Sequence, residues 1–327
     1  MGGADFGSGN QVDRAGWIYS GMNRRVRAAT GLTLFLLACS RDERPSPAAL
    51  VSSPCRVEQS GRRLPPAVRE TSGLALGRRS PGVLWTHNDS GNEPVLFAFD
   101  SAGTLLGQVR VTGAGLVDWE DLAAGPCEAG TCLFIADIGD NGGRRDSVSI
   151  YMVPEPEPAA SETAPAAVLH ARYPDGPRDA EAMFVLPSGD IHIVSKGRRD
   201  SIALYRLSKS NQRPGGTVVL ERVRALWPRP ASSLDHVTGA GASPDGRWVT
   251  IRTYRTLYIY ASGDLTGPGS PPLATFDLRP LGERQGEAVA LNDSGGVWLS
   301  SEARAQHGPR WAHVACTLQD SRNTGRP

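Results

Sequence analysis

The 327-residue sequence lacks a surplus of charge of either sign, since 35 Lys and Arg against 34 Asp and Glu give a formal net charge of +1. Binding to nucleic acid depends on a basic surface, so this balance argues against nucleic acid as the main partner. Segments with apolar residues at helical spacing over three turns are also few, which argues against a helical bundle. Gly (38) and Pro (25) are instead abundant, as expected for a chain with many tight turns.

The apolar run near the N-terminus, residues 31–38, is far too short to span a bilayer as a helix. It follows a basic segment, residues 22–27, and precedes Cys39, an order typical of a secretory signal. Leu36-Leu37-Ala38-Cys39 resembles a bacterial lipobox, although Leu37 stands where a smaller residue is usual. We therefore predict export, with lipidation at Cys39 as a membrane anchor; a cytosolic protein with an apolar N-terminal helix is the alternative.

Residues 44–66 are rich in Pro, and five copies of one pattern follow them. Each copy opens with a short strand that carries Gly or Glu before small apolar residues, at a spacing of about 45 to 60 residues, close to the blade period of a β-propeller. The openings are Thr71–Ala75, Trp119–Ala123, Asp179–Met183, Val237–Ala240 and Gln285–Ala290.

A more apolar strand and then an alternating strand follow most openings, with Gly, Asn and Asp turns between them. The connections 154–179 and 209–234 leave room for fourth strands at Ala167–Tyr173 and Thr217–Val223. We predict an all-β propeller of five blades, with six blades and a β-sandwich as alternatives.

Residues 1–39 are assigned to the signal and lipobox (with Met22 as the expected true start), 40–66 to a tether with a possible strand near Cys55, 67–318 to the propeller and 319–327 to a flexible tail.

The chain has only five cysteines, and setting Cys39 aside leaves an even number for an exported protein. Cys127 and Cys132 flank a four-residue loop, which leaves Cys55 to pair with Cys316. The last blade ends after three strands near Cys316, so the segment around Cys55 is expected to supply its fourth strand and close the ring. Zinc binding is the weaker alternative, because paired C-x-x-C spacing is lacking.

Aligning the copies places polar side chains at two recurrent levels, which we expect to converge on the channel or its mouth. The functional interpretation is a mixed-charge site for a polar or anionic ligand, with carboxylates able to hold Ca²⁺. The structural interpretation is that Lys196 and Arg252 neutralise the glutamates across the channel. The predicted ligand-binding residues are His87, Glu120, Asp137, Glu181, Lys196, Arg252, Glu287 and Glu302, and the possible metal ligands are Glu120, Asp137, Glu181 and Glu287.

The segment Asp137–Gly142 has the composition of a calcium loop but lacks the D-x-D-x-D-G spacing and the distal Glu, so it is interpreted as a tight turn. The sequence around it, Asp118–Asp121, Asp137–Asn141, Ile150–Pro156 and Asp179–Ala182, resembles a family of uncharacterised exported bacterial propeller (lipo)proteins. The resemblance covers most of residues 70–302. That family is distantly similar to phytase-like and lactonase-like propellers, which hold Ca²⁺ in or near the channel.

Two functions follow as hypotheses. The first is a cell-envelope binding module, anchored by an N-terminal lipid, that uses the channel mouth for a small molecule or an envelope protein. The second is a Ca²⁺-dependent hydrolase, phytase-like or lactonase-like, in which carboxylates hold the metal while Lys196 and Arg252 take the anionic group. Three or more carboxylates around one point would favour the hydrolase, whereas carboxylates capped by Arg or Lys would favour binding or a purely structural role.

Overall fold

A computed structural model of the protein describes residues 54–267, 269–303 and 308–318. The strands are β1 Cys55–Arg63, β2 Thr71–Leu76, β3 Val83–Asn88, β4 Val95–Asp100, β5 Leu105–Arg110, β6 Trp119–Cys127, β7 Gly130–Asp137, β8 Val148–Pro154, β9 Ala167–Arg172, β10 Ala180–Val185, β11 Ile191–Ser195, β12 Ile202–Leu207, β13 Thr217–Val219, β14 Glu221–Trp227, β15 Val237–Ala242, β16 Trp248–Thr253, β17 Thr256–Ala261, β18 Ala274–Asp277, β19 Gly286–Leu291, β20 Gly296–Ser301 and β21 Arg310–Cys316. The helical elements are one short helix, α1 Ser262–Thr266, and the 3₁₀ turns Lys209–Asn211, Ser233–Asp235 and Arg279–Leu281.

These strands form five sheets, antiparallel except for the edge strand β13, arranged as the blades of a β-propeller, as predicted. Four blades follow the chain in order and the fifth combines both ends: β2–β5, β6–β9, β10–β12 with β14, β15–β18, and β19–β21 with β1. The first strand of each blade contacts the first strand of the next, and β19 returns to β2, so the five inner strands surround one axis.

Ring closure occurs at the predicted place. Strand β1 pairs antiparallel with β21, and Cys55 lies opposite Cys316 in that pairing. The Cys55–Cys316 and Cys127–Cys132 disulfides are both present, as the sequence predicted. Strand β1 lies within the range 40–66 that was assigned to the tether, where the possible strand near Cys55 was expected. Two disulfides indicate an oxidising, extracytoplasmic environment.

One predicted fourth strand is divided between two blades. Ala167–Arg172 is the fourth strand of the second blade, as expected, but the predicted strand 217–223 is split. Its first part, β13, pairs parallel with β9 and extends the second blade, whereas β14 is the fourth strand of the third blade. The connection between β12 and β14 therefore adds a strand to the outer edge of the second blade before the chain completes the third blade.

Small residues let the inner strands approach closely. A Cβ on Gly73 of β2 would collide with the backbone of β6 at Leu122, and a Cβ on Gly239 of β15 would lie 2.5 Å from the carbonyl oxygen of Glu287 in β19. The apolar core lies between adjacent blades, and alternate side chains of one strand pack against the blades on its two sides, as Phe134 does with the third blade and Leu133 with the first. In this part of the chain no helix has the length and apolar character that crossing a membrane requires.

Residues 1–53 and 319–327 lie outside the described residues. The predicted signal, the lipidation site at Cys39, the first part of the tether and the tail therefore stay predictions.

Candidate functional site

A β-bulge at the start of every inner strand sets the geometry of the channel mouth. In all five blades the pairing with the second strand shifts register after the first residue, for example between Trp119 and Asp121 in β6. A bulge leaves one residue unpaired and redirects its side chain. The five bulge residues are Ser72, Glu120, Glu181, Thr238 and Glu287, and all of them are buried.

Two further positions in each blade surround the bulge residue. One immediately precedes the inner strand. The other lies one or two residues after the end of the second strand, and in four blades its backbone N–H donates to the carbonyl oxygen of the preceding position, as Lys196 does to Asp179 at 2.9 Å. In the fourth blade the strand register places Tyr254 there. The preceding positions are Glu70, Asp118, Asp179, His236 and Gln285. The following positions are Asp89, Gly139, Lys196, Tyr254 and Glu302. We refer to these positions and the bulge residues together as the channel mouth.

Three carboxylates meet at one side of the channel mouth. Asp89, Asp118 and Glu120 each present an oxygen within 4.8 Å of the others, which makes this group, the carboxylate triad, a possible metal site. Glu120 is only 5% exposed, and its Oε2 accepts a long hydrogen bond of 3.4 Å from Ser72 Oγ. Within the described residues no other group of three His, Cys, Asp or Glu side chains has this geometry.

Gly139 creates the space for the triad. The other blades carry a side chain at this position, whereas a Cβ on Gly139 would collide with Glu120 Oε1 and Asp118 Oδ2. The backbone N–H of Gly139 donates to the carbonyl oxygen of Asp118 at 3.2 Å, which fixes the loop against the triad. The absent side chain therefore lets two carboxylates turn toward one point.

Burial and mutual repulsion raise the pKa values of the triad. Burial is the main cause for Asp118, whose pKa is raised to about 6, and the neighbouring Asp89 and Asp179 raise it further. Burial also raises the pKa of Glu120 well above its usual value, with Asp89 and Asp118 adding to the effect. The pKa of Asp89 is raised as well, again chiefly by burial. Nearby carboxylates that are reluctant to ionise together favour either protons or a bound cation.

Two of the predicted metal ligands are capped by cations. Glu181 forms an ion pair with Lys196, as the structural interpretation expected of the lysine. Asp137 pairs with Arg145 at 2.8 Å and accepts backbone N–H groups from Val117 and Asp118. Because their oxygens are engaged in this way, Glu181 and Asp137 do not join Glu120 in one metal-sized group.

Arg252 and His87 lie deeper than the mouth, which corrects their predicted placement. Arg252 is opposite Gly239, one residue before the end of β16, and Tyr254 occupies the position equivalent to Lys196. The Arg252 guanidinium is fully buried, pairs with Glu283 at 2.8 Å and donates to the carbonyl oxygens of Ala288 and Ser300. It clamps the fourth and fifth blades together, and its charge opposes the larger effect of burial on the pKa of the bulge residue Glu287 without forming an ion pair with it.

His87, the equivalent of Arg252 in the first blade, is also fully buried, and its ring packs edge-on against Trp119 with 5.4 Å between centroids. Burial lowers its pKa to about 4, so the ring is neutral at pH 7. His87 therefore belongs to the core beneath the mouth, where it is inaccessible to a ligand.

The remaining predicted residues lie at the mouth itself. Glu287 is a bulge residue, accepts a 3.4 Å hydrogen bond from the Tyr254 hydroxyl, and has its pKa raised to about 7, mainly by burial. Glu302 directly follows β20, and its backbone N–H donates to the Gln285 carbonyl oxygen at 3.0 Å.

The sequence placed Asp89 after a second strand, at the level of the channel, but sequence reasoning made neither Asp89 nor Asp118 a partner of Glu120. Asp118 and Asp179 both stand two residues before a bulge glutamate, so the repeated D-x-E pattern was the available signal. Reasoning also missed Asp121, whose carboxylate accepts backbone N–H groups from Leu122, Met183 and Ala240 at 2.7 to 3.1 Å. These bonds join three adjacent inner strands beneath the mouth.

No protein-family model matches this chain, and no curated protein matches it significantly. Among solved structures, it is similar to the PQQ-bound form of aldose sugar dehydrogenase from Streptomyces coelicolor, with 11% identity and a TM-score of 0.48 over 80% of this chain and 97% of that one. It is also similar to the Dos1 propeller, with 12% identity and a TM-score of 0.35 over 71% of this chain. The match spans about half of the Dos1 chain, 52%. Neither similarity assigns a role to a residue of this protein.

Proposed function

We propose that this protein is an exported binding module of the cell envelope, anchored through Cys39, whose channel mouth binds a ligand through a divalent cation held by Asp89, Asp118 and Glu120. The observation that carries the proposal is the carboxylate triad, with its oxygens within 4.8 Å of one another and its space opened by Gly139. Oxygen-only donors suit a hard cation such as Ca²⁺.

The charge balance of the mouth favours a cation over a directly bound anion. Lys196 is paired with Glu181, Arg145 with Asp137, and Arg252 is buried against Glu283. Within the described residues the triad carboxylates form no ion pair, so the unpaired charge at the channel mouth is negative. This revises the expectation that Lys196 and Arg252 would take an anionic group.

The triad leaves room for a ligand at the metal. Ca²⁺ takes six to eight oxygen ligands, and three carboxylates supply only part of that number. Water or oxygen atoms of a bound molecule would complete the shell. A propeller that presents such a cation at its mouth can bind carboxylate, phosphate or polyol groups without contributing further charges.

Calcium titration of the full chain by calorimetry and thermal unfolding tests the proposal. We expect saturable binding and a raised melting temperature in the wild type, with affinity at least tenfold weaker in Glu120→Gln, which is about 1.4 kcal/mol. Gly139→Ala retains every carboxylate but fills the space beside Glu120 and Asp118, so it should also weaken binding. Glu128→Gln, in the exposed loop at the far end of the second blade, is the matched control and should bind normally.

Absence of binding in a folded wild type would refute the proposal, as would equal weakening by Glu128→Gln and Glu120→Gln. A Ca²⁺-dependent hydrolase is the second candidate, because the triad meets the requirement of three carboxylates around one point. Phosphatase or lactonase activity that needs Ca²⁺ and disappears in Glu120→Gln would support it. Calcium binding without such activity would support the binding module and contradict the hydrolase.

A further inference from the structure

Four exposed arginines gather on the rim beside the carboxylate triad. Arg144 lies in the loop 138–147 between β7 and β8, Arg198 and Arg199 follow β11, and Arg229 precedes β15. Within the residues that the structure describes, none of the four forms an ion pair. We call these four residues the arginine cluster.

Hydrogen bonds hold three of the four arginines in place, and Arg144 joins them through its position in the loop that Arg198 and Arg199 contact. Arg199 donates from Nη1 to the Gly142 carbonyl oxygen at 2.7 Å and from Nη2 to that of Asn141 at 3.1 Å. Arg198 donates to the Asn141 side-chain oxygen, and Arg229 Nε donates to the Arg198 carbonyl oxygen at 3.3 Å. Each guanidinium carries five N–H groups, so donors remain on all of them.

The conformation of the loop 138–147 makes room for the arginine side chains. Gly143 has φ +63°, and a Cβ there would collide with Arg199 Nη1, so the glycine permits both the turn and the contact. Asp140 closes the turn, since its carboxylate accepts the backbone N–H groups of Arg144 and Arg145 at 2.9 and 3.0 Å. Arginines held over a rigid turn lose less side-chain freedom when they bind an anion than freely moving ones do.

Acidic groups around the cluster do not cancel its charge. Asp200 is paired with Arg178, and the Asp140 carboxylate is engaged with backbone N–H groups. Asp179 accepts the Asp140 N–H at 3.0 Å. Asp146, exposed on the same loop as Arg144, is the one further carboxylate in that segment. Asp140 and Asp179 keep their negative charge while they accept N–H groups, so the four arginines stand against three carboxylates and leave a surplus of one positive charge next to the negative triad.

We propose that the arginine cluster binds the oxyanion, a phosphate or carboxylate, of a small soluble ligand. The planar guanidinium fork matches both groups in a bidentate way, and a phosphate dianion draws on more of the donors. The loop 138–147 carries Gly139 at the triad and Asn141 to Arg144 at the cluster, so one ligand can meet both. The anion site stands on the arginines themselves, and its link to a cation rests on the proposed function.

Calorimetry with phenyl phosphate and benzoate, on the full chain at low salt, tests the assignment. We expect phenyl phosphate to bind in EDTA, and binding to weaken at least tenfold in Arg198→Gln/Arg199→Gln. The control Arg62→Gln/Arg63→Gln removes two exposed arginines from β1, at the outer edge of the fifth blade, and changes net charge equally. It should leave binding unchanged.

Calcium separates the two sites. If one ligand contacts both, Ca²⁺ tightens phenyl phosphate binding and the anion tightens Ca²⁺ binding by the same factor. Glu120→Gln should abolish this gain while retaining binding in EDTA. Binding in EDTA with no gain from Ca²⁺ supports the anion site and contradicts its link to the cation.

Three results would overturn the anion site. In the first, neither probe binds to the protein with or without Ca²⁺. In the second, the two arginine double variants weaken phenyl phosphate binding equally. In the third, the protein is retained on vesicles of phosphatidylglycerol but does not bind phenyl phosphate. The last would mean that the arginines meet a lipid surface.

Discussion

The two disulfides close loops of very different length, and this difference predicts unequal contributions to stability. Cys55 and Cys316 are 261 residues apart, whereas Cys127 and Cys132 are 5 apart. In the chain-entropy model, a cross-link destabilises the unfolded chain more as its loop lengthens. The model gives about 5 to 6 kcal/mol for the long loop and about 2 kcal/mol for the short one.

We therefore expect Cys55→Ala/Cys316→Ala to lower the free energy of unfolding by about 3 to 4 kcal/mol more than Cys127→Ala/Cys132→Ala does. The comparison is matched, since each variant removes two sulfur atoms from paired strands. The long-range disulfide also holds β1 against β21, so the first variant should become sensitive to protease within β1.

Guanidinium unfolding at pH 7, followed by fluorescence and circular dichroism, measures the difference. The two probes must show coincident transitions for the free energies to be compared. Equal losses, or a larger loss for the short loop, would refute the reasoning that the long-range disulfide acts by closing the ring.

Two further predictions concern buried carboxylates. In Asp121→Asn a single amide oxygen replaces the two carboxylate oxygens that accept three backbone N–H groups, so the free energy of unfolding should fall by about 1 to 3 kcal/mol. In the same denaturant assay, Asp146→Asn, at an exposed position, should change it by less than about 0.5 kcal/mol. Equal effects would contradict a role for Asp121 in joining the blades. The pKa of Asp118 is raised to about 6, so the folded state binds more protons than the unfolded state between about pH 4 and 6. The contribution of Asp118 to the metal-free melting temperature, measured as wild type minus Asp118→Asn, should therefore fall as pH rises through this window and level off above it, and added Ca²⁺ should oppose the fall. A contribution that rises from pH 4 to 6 would contradict the raised pKa.

The strands, the blades and the disulfides could be predicted from the sequence, because strands and turns depend on residues close along the chain and the disulfides follow from the number and spacing of the cysteines. Alternation of apolar residues has the period of a strand, and Gly, Asn and Asp turns delimit each one. Small residues such as Gly73 and Gly239 marked the inner strands, where only they let neighbouring backbones approach. An even number of cysteines, with Cys127 and Cys132 flanking a short loop, left one partner for Cys55.

The membership of the candidate site was less accessible to sequence reasoning. Glu120, Glu181 and Glu287 were recognised as equivalent, but the alignment placed Arg252 at the level of Lys196. The bulge and strand register put Arg252 two residues deeper and Tyr254 at the mouth. A shift of this size converts a predicted ligand contact into a buried clamp between blades.

Local pattern thus specified which residues form strands and which strands are innermost, because those properties depend on neighbours along the chain. Tertiary structure decided which side chains meet. Asp89 comes from the first blade, while Asp118 and Glu120 come from the second, and they converge only because the ring places these blades side by side and Gly139 leaves space between them. The arginine cluster likewise depends on loops of the second and third blades and on the connection to the fourth, whose contacts no spacing in the sequence records.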